Sequence, residues 1–339
     1  MKKYFKTILP AATLLLSMGL SSCIGDLDVT PIDPNKNTNP KSDQLFTKCY
    51  ADLALAGQSG PDGDCDIDGL DGGTTGFVRQ LFNTNELPTD EAICYWGFPG
   101  IAEFNFMRFE CNHPMALGFY YRLYFGVTIC NQYLATFADV DETKTAEVRF
   151  LRALNYYHLM DLYGNVPFTE QVSAAAAPQY TRKQMYDYLE KELLEIEPKL
   201  SAATPKKSTD AGYGRVDKAA AWMLLSRLYL NAQVYTGTPQ WQKAAEYAKK
   251  VMDSNYKLYT GATKNGWTAY QQLFMGDNGE NGASVEAVFP ILQDGKKTAS
   301  WGSTLFLMAS TFDAGVTVDP NGVAGNNTSD NGACNRGRM

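Results

Sequence analysis

Two adjacent carboxylates are the first residues whose types could support catalysis. Asp90 and Glu91 end a polar segment at residues 85–91. A glycosidase needs one carboxyl group as acid and a second as nucleophile or base, placed on either side of the scissile bond. Adjacent side chains on one short loop point in different directions, and no second acidic motif accompanies them. Because GxSxG, HExxH and phosphate-loop motifs are also absent from the sequence, we predict a protein that is not an enzyme and uses no cofactor.

An acidic loop is the next candidate for chemistry. Aspartates occupy every second position from Asp62 to Asp68 and are followed by Gly69, which resembles the start of a calcium-binding loop. An EF-hand requires a bidentate carboxylate at position twelve of the loop. Counted from Asp64, that position is Thr75, which has no carboxylate. The loop is therefore not an EF-hand, and a solvated acidic turn is a better interpretation than a bound cation.

The thiol and imidazole groups do not form a recognisable metal motif. The cysteines are Cys23, Cys49, Cys65, Cys94, Cys111, Cys130 and Cys334. None of them forms a CxxC pair, and His113 and His158 are the only histidines. A zinc site needs closely spaced ligands, so we predict no metal. An oxidising compartment permits one or two disulfides, but the spacing does not select a pairing.

The first residues indicate export and lipid anchoring. Three lysines precede a short, interrupted apolar run at residues 8–20, and Ser21 and Ser22 then lead to Cys23. The run is too short for a membrane-spanning helix, which needs about 20 apolar residues, but its length and flanks are typical of a signal peptide. A cysteine directly after small residues is typical of a bacterial lipoprotein signal. We predict a signal peptide at residues 1–22 and lipidation of Cys23; an ordinary secretory signal with a chance cysteine is the alternative.

Charge and composition exclude one class of partner. The 339-residue chain has a net charge of −7 and no basic cluster after the signal. Nucleic-acid-binding proteins carry a basic patch or stripe, so nucleic acid is not an expected partner. Aromatic residues make up 12% of the chain, which suits either a sugar-binding surface or a large helical core.

Amphipathic periodicity predicts helices over most of residues 115–255. Segments at 120–137, 148–162, 182–200 and 216–232 each place apolar residues three and four positions apart. The second of these should end at Gly164, with Pro167 preventing its continuation. Successive helix pairs with weak self-similarity predict tetratricopeptide-like packing. The expected fold class is mostly α, with tetratricopeptide-like helix hairpins and an irregular, loop-rich lobe.

Two local features extend this prediction. A further helix is expected to begin with Thr238 as N-cap and Pro239 at its first position. Its apolar face is formed by Trp241, Ala244, Ala245, Ala248, Val251 and Met252. After residue 261 the helical signals fade, and residues 285–291 have the composition of a strand.

Five stretches of the sequence resemble one known family. Residues 146–168 read AEVRFLRALNYYHLMDLYGNVPF, similar to the AExRFLRA…YGxPF segment of the SusD-like (SusD/RagB) outer-membrane lipoproteins. DLDVTP at 26–31, NELPTDE at 85–91, GRVDKAA at 214–220, and YLNA at 229–232 followed by YKL at 256–258 agree in the same order. The resemblance covers residues 23–312 and includes a segment like that of the starch-binding founder of the family.

The resemblance implies a domain organisation. A tether at residues 23–44 follows the signal peptide, and a SusD-like helical repeat domain occupies residues 45–312. Residues 313–339 form an irregular tail rich in Gly, Asn and Asp. The family normally continues well beyond the point where this chain stops, so the sequence is interpreted as C-terminally truncated.

Candidate glycan-binding residues also follow from the resemblance. The arginine and the aromatic residue flanking the NELPTDE-type segment match Arg79 and Trp96, and a second aromatic matches Trp301. We expect these three on one shallow, solvent-accessible face, although each could equally serve the core or a structural ion pair. Pro99 falls where the starch-binding member has a hydrogen-bonding asparagine, and Ala333 near a further tryptophan, which argues against identical specificity.

The function implied by the family is capture of oligosaccharides at the cell surface. A lipid-anchored protein of the outer membrane would bind oligo- or polysaccharide and deliver it to a SusC-like TonB-dependent transporter, its usual partner. The alternative is a truncated, non-binding scaffold remnant of such a protein.

Overall fold

A computed structural model describes residues 40–58, 65–293, 298, 300–303 and 306–307. The signal peptide, Cys23, most of the predicted tether, Asp62, Asp64 and the tail at 313–339 lie outside these residues. The α-helices are α1 (Ser42–Ala54), α2 (Phe77–Glu86), α3 (Ile101–Asn105), α4 (Pro114–Phe137), α5 (Glu142–Tyr163), α6 (Arg182–Ile196), α7 (Lys218–Leu230), α8 (Ala232–Thr236), α9 (Trp241–Met252) and α10 (Ala269–Gln272). Two-residue strands β1 (Val166–Pro167) and β2 (Gln179–Tyr180) pair antiparallel, and 3₁₀ turns occur at Glu197–Lys199 and Ala283–Val285.

The two longest helices, α4 and α5, have ends that the sequence explains. Pro114 occupies the first turn of α4, where its missing N–H costs nothing. The Asp141 carboxylate caps α5 by accepting from the Lys144 amide at 3.0 Å. Gly164 ends α5 at a φ of +80°, which an L side chain rarely adopts. The predicted end of this helix is therefore confirmed.

Neighbouring helices pack in pairs around one large apolar core. The helix α5 lies between α4 and α6, α1 covers α4, and α9 packs along α7. The core side chains from these helices include Leu53, Phe119, Leu123, Tyr133, Leu151, Leu159, Leu189, Leu193, Leu225 and Leu228. The mostly α fold of tetratricopeptide-like helix pairs is confirmed. No described helix is long and apolar enough to cross a membrane.

Small side chains let α7 and α9 approach closely. Asp217 caps α7 by accepting from the amides of Ala219 and Ala220, and Ala221 is also buried. The Ser226 hydroxyl of α7 donates to the Ala244 carbonyl of α9 at 2.9 Å. A side chain as short as serine can span the interface only because the two backbones lie close together.

The predicted start of α9 is wrong. Gly237 takes a left-handed conformation after α8, and the Thr238 amide donates to the Thr236 hydroxyl. Thr238 therefore belongs to the preceding turn, and the helix begins at Trp241 with Gln240 as an N-cap that makes no side-chain hydrogen bond. The expected apolar face is only partly used, because Ala244 is buried whereas Trp241 and Met252 are exposed.

The strand expected at residues 285–291 does not form. The segment follows a 3₁₀ turn at Ala283–Val285 and has no ladder partner among the described residues. Val288, Phe289 and Ile291 instead pack singly against the large core. An apolar run that covers a helical core needs no sheet edge, which explains why its composition misled the prediction.

The irregular lobe that follows α9 is organised by polar side chains. Gln272 is buried and donates to the carbonyls of Ala262 and Trp267 at 2.9 and 3.0 Å. It also accepts a hydrogen bond from the Tyr259 hydroxyl at 2.9 Å. Backbone groups without regular secondary structure need such partners when buried, so one amide fixes three parts of the loop.

An ion network joins α4, α5 and α6. Arg149 donates twice to Glu192, at 2.9 and 2.7 Å, and Arg152 donates to the same carboxylate at 3.0 Å. Arg152 also reaches Asn131 of α4 and Glu170 beyond β1. The two arginines therefore tie α5 to α4, to α6 and to the chain beyond β1. Burial raises the pKa of Glu192, but the Arg149 hydrogen bonds and the Arg152 charge outweigh it, so the pKa lies below its ordinary value.

We predict that Glu192→Gln lowers the free energy of unfolding by about 3–5 kcal/mol at pH 7, since two arginines lose their shared counter-charge. A lowered folded-state pKa gives a stabilisation that is complete above the unfolded value of about 4.3 and is lost as pH falls through the folded value. Urea unfolding should therefore show the two proteins converging in acid. Glu195→Gln, which removes the exposed partner of Arg149 at 3.1 Å, should change stability by about 1 kcal/mol or less. Equal effects of the two substitutions would contradict this assignment.

Candidate glycan-binding site

Arg79 is positioned by the second helix and lies under aromatic rings. The α2 residues Phe77, Arg79, Gln80 and Asn83 are buried, and Arg79 is only 3% exposed. Its Cζ lies 4.4 Å from the ring centroid of Phe306, 4.9 Å from that of Phe98 and 5.6 Å from that of Trp96. A guanidinium is flat and weakly hydrated, and it stacks on aromatic faces more readily than an ammonium group. The three rings replace much of the water that the cation would otherwise hold.

The hydrogen bonding of Arg79 is incomplete within the described residues. One terminal nitrogen donates to the Gly73 carbonyl at 2.8 Å. The Nε and the other terminal nitrogen are buried without a hydrogen-bond partner among those residues. Burial lowers the pKa of Arg79 to about 10, so the side chain remains a cation at neutral pH. The site therefore contains a buried positive charge held mainly by ring faces.

Trp96 lies in a segment without regular secondary structure, which one amide side chain holds in place. Asn105 donates to the Cys94 carbonyl at 2.6 Å and accepts from the Cys94 amide at 3.2 Å, which fixes the segment before the tryptophan. The half-buried Trp96 ring meets Phe98 and Phe306 edge to face, with centroids 6.1 and 5.2 Å apart. Its Nε1 is buried without a hydrogen-bond partner among the described residues.

Trp301 approaches the same place through two glycine contacts. A Cβ built on Gly73 would lie 3.2 Å from the Trp301 Cβ, and one built on Gly76 would lie 2.6 Å from the Gly302 carbonyl oxygen. The Arg79 amide donates to that carbonyl at 3.0 Å. The chain around residue 301 can pack so closely on the start of α2 only because these positions lack side chains.

The structure thus brings the three predicted residues together but corrects their expected exposure. Arg79 contacts the Trp96 ring, and its hydrogen-bond acceptor Gly73 lies close enough to Trp301 that a Cβ on Gly73 would be 3.2 Å from the Trp301 Cβ. Both tryptophans are half-buried. Arg79, however, does not lie on a solvent-accessible face, because the rings and Gly73 enclose its guanidinium. It is placed to orient the aromatic side chains.

Two aromatic residues of the site were missed from the sequence. Phe98 is 44% exposed beside Trp96 and offers the more accessible ring of the pair. Phe306 is fully buried beneath Arg79. The close spacing of Tyr95, Trp96 and Phe98 in one segment was a signal that could have identified Phe98. No local pattern distinguishes Phe306 from the many other phenylalanines.

The remaining candidate residues, Asp90, Glu91 and Pro99, lie at the protein surface. Asp90 and Glu91 are exposed after a turn in which the Glu91 amide donates to the Thr89 hydroxyl. Within the described residues, no group of three or more His, Cys, Asp or Glu side chains could hold a metal ion. Pro99 is exposed.

Comparison with known proteins agrees with the fold and the motifs. A family model described as starch-binding and associating with the outer membrane matches residues 109–230. The starch-binding protein SusD of Bacteroides thetaiotaomicron is 41% identical over 323 residues, which are 93% of this chain and 56% of that protein. The chain belongs to the SusD-like family. This SusD-like chain spans just over half the length of its curated relative.

Solved structures share the architecture at low sequence identity. A SusD-like protein of Bacteroides fragilis has a TM-score of 0.51 and 19% identity, covering 75% of this chain and 46% of that one. Surface glycan-binding protein A of Bacteroides thetaiotaomicron, solved with laminarihexaose, has a TM-score of 0.50 and 22% identity, covering 74% and 48%. At such identities the likeness establishes the fold of this SusD-like chain.

We predict that Arg79→Lys lowers the free energy of unfolding by about 1–3 kcal/mol, because the ammonium loses the planar contacts with three rings. Arg108→Lys is the matched control, since Arg108 lies 5.6 Å from the Phe106 ring on the exposed surface, and it should leave stability unchanged. Chemical unfolding measures both. Unchanged stability of Arg79→Lys together with weaker sugar binding would show that Arg79 is a direct sugar ligand instead.

Proposed function

We propose that this protein binds oligosaccharides through the aromatic side chains around Trp96. The observation that supports this most directly is the pair Trp96 and Phe98, which lie above a buried arginine with one ring 44% exposed. Sugars stack their C–H faces on such rings and keep their hydroxyls in water. Side chains held in place before binding lose little conformational entropy when the ligand arrives.

The class of glycan is inferred from the relatives. The 41% identical relative is named a starch-binding protein, so α-linked glucose oligomers are the first ligands to test. Pro99 has no side-chain hydrogen-bond donor, and residue 333 is alanine. Both positions argue for a contact pattern different from that of the starch-binding member.

Location and partner complete the proposal. Acylation of Cys23 after cleavage of residues 1–22 would anchor the protein in the outer membrane, facing the cell surface, and several acyl chains on one residue give stable anchoring. The captured oligosaccharide would then pass to a SusC-like TonB-dependent transporter. The competing proposal is a scaffold remnant that binds no glycan. A measurement of glycan binding distinguishes the two proposals.

We predict that soluble maltoheptaose binds with a dissociation constant between about 1 μM and 1 mM. This range corresponds to a favourable binding free energy of about 8 to 4 kcal/mol. Trp96→Ala should weaken binding about tenfold or more. Phe98→Ala should also weaken it, with less effect on stability, because its ring is more exposed. Trp241→Ala, which removes an exposed tryptophan on α9, is the control and should bind normally in isothermal titration. A scaffold remnant would bind no glucan oligomer in any of these forms.

We also predict that Cys23→Ala abolishes lipid attachment. The variant should be found as an unprocessed precursor or in the soluble fraction, as determined by fractionation and mass spectrometry of the N-terminus. Cys111→Ala is the control, because it removes another thiol from an exposed position, and it should remain in the outer membrane. A Cys23→Ala protein that is normally cleaved and membrane-bound would disprove lipidation at this residue.

A further inference from the structure

A second concave aromatic surface lies beside the first helices of the repeat region. It is a groove of about 530 Å³ between the segment after α3, the first turns of α4 and the end of α5. Ligand pockets in proteins commonly measure about 300–1,000 Å³. None of Arg79, Trp96 and Trp301 lines this groove, so it is distinct from the site described above.

Two pairs of rings contribute to the groove. Phe104 and Phe109 form one pair, with centroids 5.6 Å apart, and Tyr120 and Tyr163 form the other, 5.3 Å apart. Phe104 belongs to α3 and Phe109 to the irregular segment after it, whereas the tyrosines come from α4 and the last residue of α5. Phe104 is only 2% exposed and supports Phe109 from within, so the accessible aromatic surface comes from Phe109, Tyr120 and Tyr163 on three separate segments.

The rings are held in place by buried contacts. His113 lies 4.3 Å from the Phe104 centroid and accepts from the Ala116 amide at 3.2 Å, where it caps α4. Its Nε2 is 2.9 Å from the Gly100 carbonyl. The Tyr163 hydroxyl donates to the Ala116 carbonyl at 2.7 Å. The aromatic surface therefore exists before any ligand binds.

The polar lining restricts the charge of the occupant. Among the described residues that line the groove, Glu110 is the only one with a charged side chain, and none is a lysine or an arginine. An anionic ligand would therefore meet a carboxylate without a compensating cation. The Thr84 hydroxyl donates to the Gln80 carbonyl at 2.7 Å, which leaves its oxygen free to accept. Acceptors among aromatic rings suit a neutral molecule that has hydroxyl donors and apolar C–H faces.

The groove shares its support with the first site. Phe104 belongs to the small buried cluster formed with Leu87, Cys94, Ile101 and Met115, and Trp96 packs against the same cluster. We propose that the groove is a second carbohydrate-binding site, which takes a glycosyl unit of a neutral oligosaccharide between Phe109 and the tyrosine pair. The ligand class rests on the function proposed above, whereas the site and its residues do not.

Phe109→Ala tests this proposal with a close control. Phe109 lines the groove and is 48% exposed, whereas Phe106, in the same segment, is 61% exposed and does not line it. Both substitutions remove an exposed ring, so the fold should tolerate each. In a Trp96→Ala background, Phe109→Ala should weaken the remaining maltoheptaose binding about tenfold, while Phe106→Ala should leave it unchanged in isothermal titration.

Cys111 provides a local readout in the unsubstituted protein. It lines the groove and is the only exposed cysteine among the described residues. Saturating maltoheptaose should slow its alkylation by iodoacetamide severalfold, measured by peptide mass spectrometry, and Phe109→Ala should remove this protection. Phe106→Ala should retain it.

The outcomes separate this proposal from the first. Loss of all binding in Trp96→Ala, with no protection of Cys111, would overturn the second site and leave the proposed function intact. Binding that survives Trp96→Ala and fails in Phe109→Ala would support the groove and count against the first site. Absence of binding to both α- and β-linked glucose oligomers by the unsubstituted protein would overturn both proposals.

Discussion

Glu192 carries a negative charge in a place where it is only 5% exposed, and two arginines one turn apart on α5 make this possible. Removal of a carboxylate from water costs several kcal/mol, and only well-directed partners offset that cost. Arg149 supplies two parallel hydrogen bonds, and Arg152 supplies a third. Because the partners must meet in this geometry, α5 and α6 cannot slide along each other without leaving a buried charge unpaired. Through Asn131 and Glu170, Arg152 extends the same constraint to α4 and to the chain beyond β1.

Arg79 is another buried charge, but aromatic rings surround it in place of charged partners. Its side chain has one hydrogen bond within the described residues, to Gly73, and otherwise lies against the rings of Phe306, Phe98 and Trp96. The helix network fixes the position of whole helices, whereas this cation fixes the orientation of individual rings. The aromatic surface of the proposed site therefore depends on a charge that a bound sugar would not need to touch.

The parts of the fold that the sequence predicts are those set by local chemistry. The end of α5 at Gly164 follows from a backbone conformation that glycine adopts most readily, and the helical segments follow from the spacing of apolar residues. Thr238 has the residue type of an N-cap, but Gly237 turns the chain so that Thr238 belongs to the preceding turn. The sequence around 285–291 has strand composition, yet the segment packs on helices. In both cases tertiary surroundings decide between local options of similar free energy.

The candidate site is also predictable from the sequence only in part. The motif resemblance identifies Arg79, Trp96 and Trp301, and the structure brings them together. The resemblance does not indicate that Arg79 is buried, because its burial depends on Phe306, which no nearby sequence pattern identifies. Neither could periodicity reveal the groove beside Tyr120, whose rings come from three separate segments.

The contact between Gly76 and Gly302 has a consequence for the order in which the molecule assembles. Nearby, the Ser303 hydroxyl donates to the Ala54 carbonyl across 249 residues of sequence, so this closure links the first helix to a late part of the chain. Contacts over such separations form slowly, because loop-closure entropy must be overcome before they stabilise anything. Helix pairs whose partners are close in sequence can therefore form before this closure does. The enclosure of Arg79 is thus a late event of folding, and until then its guanidinium is solvated by water on the side that Phe306 later covers.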